Sequence, residues 1–528
     1  MNLSARALPG NYGRNPLFAF GFLVFFVVAA YKAAGYVIAG DIAGLAYIAL
    51  AFVAGAFVIG MLNNWRNGLY FFLAWLLFED FARKYLGNNM AIYFAKDFLV
   101  AVVYLSFFLA YRRKEVKSFR PPFLVPLLLL VWFGVMQIFN PASTSVFYGF
   151  LGAKIFFYYV PLMFVGYAFL ESEMDLRRFF TFSLVLSLII ISLGIIQSIL
   201  GHTFLNPANP AAEIRELSTL YRIAPVSGTI VYRPNSVFVS DGRYANFLLV
   251  SWLLIFGFSG YLLLRHRKGR VLAFVSLAVA YGGVALGASR GVLLWTTGSA
   301  LVGVLAFLWG APWRQREVIR VLRTVQRAAL GVALAIGLLF FIFPDALLSR
   351  VAFYTETLTP GTSTSEFGFR VWDYPLQNFL GAFGYERWPY GYGIGTTALG
   401  TQYVSMIFHT KPSIGGVESG FGTLVVEMGA LGLILWLVMA FSVIIASWKI
   451  VKKLKGSPWF PIAFMIFWYA VLLLLPMTFV GMQSYEDFVL NAYLWLLLGI
   501  LFRLPTLAVS TEFAAVNPFP NNRRLWTR

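Results

Sequence analysis

The stretch FFTFSLVLSLIIISLGIIQSIL, residues Phe179–Leu200, carries no charged side chain. It matches the roughly 20 apolar residues that an α-helix needs to cross the hydrocarbon core of a bilayer. A helix is the form such a segment takes in lipid, because every backbone N–H and C=O must be bonded within the segment itself. Arg177 and Arg178 stand directly before it, and the polar run Gly201-His202-Thr203-Phe204-Leu205-Asn206-Pro207 directly follows. One end is therefore basic, and the other opens into a long polar connection.

Outward from this segment the pattern repeats. Apolar runs of similar length occur at about 16–38, 42–62, 65–82, 91–111, 122–139, 151–170, 179–200, 244–264, 271–289, 291–310, 328–344, 420–448, 459–481 and 488–503, fourteen in all. Two are irregular. The third ends in Glu79, Asp80, Arg83 and Lys84, and the fourth carries Lys96 and Asp97. Of the 528 residues, 60% are hydrophobic and 12% charged, against about 25% charged in a soluble domain. A soluble fold could not hide that much apolar surface. The expected class is an all-α polytopic membrane protein of about fourteen transmembrane helices, with residues 1–528 forming a single transmembrane domain. The first apolar run is long enough to span and is followed by further spans, so it reads as a retained helix and not a cleaved signal.

Charge distribution assigns the sides. With a cytoplasmic N-terminus, the inner connections hold Arg66; Arg112, Arg113, Lys114, Lys117 and Arg120; Arg177 and Arg178; Arg265, Arg267, Lys268 and Arg270; five arginines between Arg314 and Arg327; and Lys449, Lys452, Lys453 and Lys455. The short outer connections near 40, 140 and 483 hold no lysine or arginine. This is the positive-inside pattern, and it places both termini in the cytoplasm. It also accounts for the net charge of +19 without nucleic acid as a partner. There is no cysteine, and the three histidines, His202, His266 and His409, are scattered. Thiol chemistry is excluded, and neither a metal centre nor a cofactor is expected.

Two outer connections are long, about 201–243 and 345–419. Both are rich in Gly, Pro, Asn, Ser and Thr, and loops of this length in a compact protein are commonly functional. Their aromatic residues, among them Tyr221, Tyr232, Tyr354, Trp372 and Trp388, predict folded segments with short interfacial helices. The candidate chemistry lies around them. Arg290 sits between two apolar runs, where a charge is costly and signals a function. Arg370 lies early in the second long loop, and Arg233 and Arg243 close the first. Arginine binds phosphates through a planar fork of donors. Gly391, Gly393 and Gly395 allow close backbone approach and expose amides that can hold an anion. Glu418 opens an apolar helix, where the helix dipole favours a carboxylate. Glu427, nine residues on, is deep enough to need a partner, and an arginine on a neighbouring span would suit. Such a set fits an anionic, lipid-linked sugar: arginines neutralise a diphosphate and a carboxylate takes a proton from the attacking hydroxyl. The same chemistry allows a secondary transporter or flippase for an anion or a lipid-linked sugar, although the polar mass lies in outer loops and not at mid-membrane.

The region 289–432 resembles the O-antigen ligase and polysaccharide polymerase family of bacterial membrane glycosyltransferases. Ser289-Arg290-Gly291, Arg370 with Trp372, Gly391-Tyr392-Gly393-Ile394-Gly395, and Glu418-Ser419 followed by Gly429-Ala430-Leu431-Gly432 carry the resemblance. Ligases that act on lipid A core have His where this chain has Glu418, so the resemblance leans towards a polymerase or a ligase for another glycan. It implies an undecaprenyl-diphosphate-linked donor, a glycan or lipid acceptor, inversion at the anomeric carbon without a metal, and a site facing outward from the bacterial inner membrane. In that picture Arg290 and Arg370 hold the donor diphosphate with help from Arg233 or Arg243, and Glu418 activates the acceptor.

Overall fold

The computed structural model describes residues 55–86, 90–207, 220–265, 269–312, 344–359 and 367–507, with a few positions between 31 and 38 and at 341. The helices are α1 (Trp65–Leu86), α2 (Met90–Arg112), α3 (Leu124–Ile138), α4 (Val146–Phe157), α5 (Leu162–Phe169), α6 (Glu173–Leu200), α7 (Asp241–Arg265), α8 (Gly269–Leu286), α9 (Arg290–Gly310), α10 (Pro344–Leu358), α11 (Tyr374–Gly381), α12 (Thr401–Phe408), α13 (Gly420–Lys453), α14 (Phe460–Leu472), α15 (Gln483–Glu486) and α16 (Phe488–Arg503). Among the described residues the sheet content is one antiparallel hairpin, β1 (Tyr221–Ile223) with β2 (Ile230–Tyr232), pairing Tyr221 with Tyr232.

Among the described residues, nine helical segments are long and apolar enough to cross a membrane: α2, α4 with α5, α6, α7, α8, α9, α13, α14 with its extension to Val480, and α16. The chain is thus an all-α multi-pass membrane protein. Helix α1 falls outside the nine because it carries Arg66, Glu79, Asp80, Arg83 and Lys84. Helix α3 is apolar but only 15 residues long. Most of each of the expected runs 16–38, 42–62 and 328–344 falls outside the described residues. The second long connection contains short helices (α10, α11, α12), whereas the described part of the first forms the β1–β2 hairpin.

Burial sorts the helices. In the α16 span 94% of the apolar window is enclosed by protein, against 28% for α9. Helix α16 is the central post, packed on α5, α14 and α7, and α9 lies at the periphery with Leu301, Val304, Leu305 and Leu308 facing outward. A stripe of large exposed apolar side chains on a peripheral helix suits contact with lipid. The α5–α16 contact depends on small residues. A Cβ on Gly166 would strike the Leu496 carbonyl, and a Cβ on Gly499 would strike the Met163 carbonyl. Glycine at both positions lets the backbones approach closely, which is how helices gain dispersion contact when lipid removes the hydrophobic drive.

Polar anchoring separates the two ends of the bundle. At one end Glu173, in the first turn of α6, pairs with Arg265, at the close of α7, at 2.8 Å. Arg66 pairs with Glu171, and Arg503 Nε donates to the Leu170 carbonyl at 2.9 Å. At the other end the hairpin docks on α10. The Val226 amide donates to Glu356 at 2.7 Å, and buried Arg350 donates to the carbonyls of Leu286, Ser198 and Tyr232 at 3.0, 3.1 and 3.2 Å. Arg350 thereby satisfies the open carbonyls at the ends of α6 and α8 and ties the two long connections together.

Gly499→Ala should force α5 and α16 apart, at a cost of about 1–3 kcal/mol. A lower melting temperature of the detergent-purified protein is expected, and an unchanged one would remove the close contact as a source of stability.

Candidate functional site

The second connection enters the bundle because α13 is broken. Gly429, inside α13, has φ +73°, a left-handed conformation that glycine adopts without strain. The break frees backbone groups that the loop then uses. The amides of Tyr392 and Gly393 donate to the carbonyls of Val426 and Glu427 at 2.8 and 2.9 Å, and the Ala430 amide donates to the Trp388 carbonyl at 3.0 Å. From α3 and the turn after it, Gln137 Nε2 donates to the Tyr390 carbonyl at 3.0 Å and Asn140 Nδ2 to the Gly391 carbonyl at 3.2 Å. Irregular backbone at this depth is tolerated because protein partners satisfy it.

Glu427 completes the lock. Its carboxylate is fully buried and accepts from the amides of Gly395 and Thr397, both at 2.8 Å, and from Thr397 Oγ1 at 2.8 Å. Its partner is therefore the glycine loop, where an arginine on a neighbouring span was expected. Charge-assisted bonds to backbone N–H groups are the stronger kind, and they offset the desolvation of a buried carboxylate. Gly391, Gly393 and Gly395 have φ of +80°, +104° and +84°, so the turn requires glycine at each. Of the three glycine amides, that of Gly395 meets the Glu427 carboxyl group, while those of Gly391 and Gly393 donate to the backbone carbonyls of Arg387 and Glu427. A Cβ at Gly395 would collide with the Tyr148 carbonyl and the Gly152 backbone.

Beside this loop lie two adjoining cavities. The first, about 650 Å³, is the more polar of the two. Its wall carries Arg83, Lys96, Lys154, Arg233 and Arg243, with Glu486 and Asp487 opposite them in sign. A carboxylate stands behind each of the five cations. Asp80 pairs with Arg243 at 2.7 Å and with Arg83 at 3.1 Å. Glu79 pairs with Lys96 at 3.1 Å, Asp97 with Lys154 at 2.5 Å, and Asp241 with Arg233 at 2.5 Å. None of these four acids lines the cavity. The ion pairs hold the long side chains of these wall residues in fixed positions, and preorganised charge of this kind needs little reorganisation when an anion arrives. Lys84 is also buried, and its Nζ donates to the Ser236 carbonyl at 2.5 Å.

The second cavity, about 680 Å³, has two kinds of wall. Arg222, Arg233, Arg290 and Arg370 face it, and so do Leu294, Val302, Phe353, Leu472 and Val480. Arg290 is the first residue of α9, and its guanidinium lies 5.3 Å from the Phe353 ring centroid. Arg370 lies on the one-turn π-helix Phe369–Asp373, with its guanidinium 5.5 Å from the Tyr374 ring. Such single π turns are frequent at functional sites. Arg233, Ser289, Gly291 and Trp295 line both cavities and form the partition between them.

The structure thus brings Arg233, Arg290 and Arg370 onto one cavity, adds Arg222 from β1, and places Arg243 on the neighbouring cavity. Glu418 takes a different position. The N-cap of α13 is Ser419, whose Oγ accepts from the Gly422 amide at 3.4 Å. Glu418 precedes the cap, is exposed, and lines neither cavity. Helix ends are read from cap geometry, and an acid one position early is indistinguishable from a cap in the sequence. The cations of α1, α2 and α4 were legible only as irregular charges in apolar runs. Arg222 and Glu486 gave no signal of their own, since each is an ordinary charge in a connecting segment.

No family model matches the chain, and no curated protein matches it.

Asp80→Ala should leave Arg83 and Arg243 without their shared carboxylate. Removing one partner of a buried pair costs about 3–5 kcal/mol, so a large fall in melting temperature is expected, with partial recovery when Arg243→Met is added. Additive losses in the double variant would show that the two groups are not coupled.

Proposed function

We propose that the chain is a membrane glycosyltransferase, which polymerises or ligates a glycan from an undecaprenyl-diphosphate-linked donor. The observation that carries this reading is the mixed cavity, where Arg222, Arg233, Arg290 and Arg370 meet an apolar wall. A lipid diphosphate has the same two parts. Its phosphates suit guanidinium forks, and its chain suits the wall of Leu294, Val302 and Leu472. Glycosyl transfer develops negative charge on the leaving diphosphate, which fixed arginines stabilise. The adjoining polar cavity, lined by Tyr93, Tyr159, Trp295, Gln402 and Tyr403, offers rings and hydrogen-bonding groups suited to sugars.

In this reading the protein has fourteen spans with both termini cytoplasmic, and both cavities open to the outer face of a bacterial inner membrane. The basic inner connections and the placement of the two long connections at one end of the bundle support that orientation.

A carrier for an anion or a lipid-linked sugar is the second reading. Its support is the set of buried ion pairs on α1 and α2, a feature of transport pathways. A covalent product separates the two readings.

Protein reconstituted with an undecaprenyl-diphosphate-linked oligosaccharide and a saccharide acceptor should release undecaprenyl diphosphate and extend the acceptor. Arg290→Lys and Arg370→Lys should each slow transfer about tenfold or more, because a point charge replaces a planar fork. Movement of the donor across the bilayer with no extended product would favour the carrier. Reporter fusions at residues 215 and 380 should both report the outside; a cytoplasmic signal at either would overturn the orientation.

A further inference from the structure

Five carboxylates near the site are already engaged. Glu427 is taken up by the glycine loop. Asp80 and Asp241 hold Arg243 and Arg233, and Asp97 holds Lys154. Asp487 lines the polar cavity but caps α16, its Oδ1 accepting from the amides of Val489 and Leu490 at 2.9 and 3.2 Å. Glu486 differs. It lines the polar cavity, is buried, and enters no ion pair among the described residues. The Leu399 amide donates to Oε2 at 3.0 Å, and Oε1 has no bond among the described residues.

We infer that the polar cavity receives the sugar end of the acceptor, and that Glu486 accepts the proton of its attacking hydroxyl. This rests on the glycosyltransferase reading. The Leu399 amide fixes the carboxyl plane and leaves Oε1 to meet the hydroxyl, the arrangement a general base requires. The partition residue Arg233 reaches both the donor phosphates and this cavity, so the donor's anomeric carbon lies at the junction. The acceptor oxygen forms the new bond to that carbon as the carbon–oxygen bond to the diphosphate breaks. The electron pair of the broken bond leaves with the diphosphate, and the hydroxyl proton ends on Glu486.

Burial, and next the nearby Glu427 carboxylate, push the Glu486 pKa up to about 8, while the Leu399 amide opposes the rise. Such a carboxylate is a stronger base than an exposed one. Charged groups that share its surroundings are Lys154 on α4, Asp487 at the N-cap of α16, and Arg83, Lys96, Arg243 and Arg233 across the cavity; Tyr93, Tyr159 and Tyr403 also line it. The reactive form is the ionised one, so the rate rises as pH passes through about 8.

The test uses the full chain in liposomes, an undecaprenyl-diphosphate-linked oligosaccharide and a saccharide acceptor. Glu486→Gln keeps an acceptor oxygen for the Leu399 amide. It should retain donor binding and melting temperature, lower kcat at least about a hundredfold, and flatten the alkaline rise. Glu486→Asp should keep measurable activity and the rise. Wild-type activity flat across pH 7–9, or a Gln variant with the wild-type rate and profile, would overturn the role of Glu486 and leave the glycosyltransferase reading standing. A wild-type protein that yields no covalent product at all would take both down. If the Gln variant does not fold, the wild-type profile and the Asp variant decide.

Discussion

The buried carboxylate of Glu427, closed on the amides of Gly395 and Thr397, is the constraint from which the rest of the site follows. A carboxylate at that depth is stable only with donors to meet it. The nearest donors are the amides of a loop that can turn tightly enough because it has glycine at 391, 393 and 395. The break in α13 at Gly429 gives that loop its docking edge. From Thr397 the chain is two residues from Leu399, whose amide holds Glu486, and Leu399, Gly400, Gln402 and Tyr403 then form a wall of the polar cavity. One carboxylate deep in a spanning helix thus sets the position of another that faces solvent-accessible space.

The polar cavity is built on a second physical rule. Cations face inward, and the acids that hold them stand behind. Unpaired, five basic groups around one cavity would repel each other and lose much of their hydration on burial. Paired, they are fixed in position along the cavity wall. Asp80 serves two arginines at once, which links α1 to α7 and thereby connects the first long connection to the irregular charged helices.

Arg233 stands where the two cavities meet. Asp241, in the first turn of α7, fixes it, and the β2 strand that precedes it is fixed through Arg350. The first long connection therefore does more than support the second. Its arginines at 222, 233 and 243 account for three of the eight basic residues on the two cavities, which are Arg83, Lys96, Lys154, Arg222, Arg233, Arg243, Arg290 and Arg370.

The sequence by itself determined the class of fold. Apolar runs of spanning length leave a helix as the one economical way to satisfy the backbone in lipid, and the helix limits of α6, α7 and α9 lie within a few residues of the runs that predict them. It also marked Arg233, Arg290 and Arg370, because charge beside apolar segments is rare and glycine at alternate positions is conspicuous. Tertiary structure alone decided which charges share a cavity. Lys96 and Glu79 are seventeen residues apart in sequence and Arg243 and Asp80 are far more distant, so no local pattern couples them. It likewise assigned Glu427 to the glycine loop, moved the α13 cap from Glu418 to Ser419, and singled out Glu486. A carboxylate's role depends on which donors surround it and whether one of its oxygens stays open, and those neighbours are chosen by packing between segments remote in the chain.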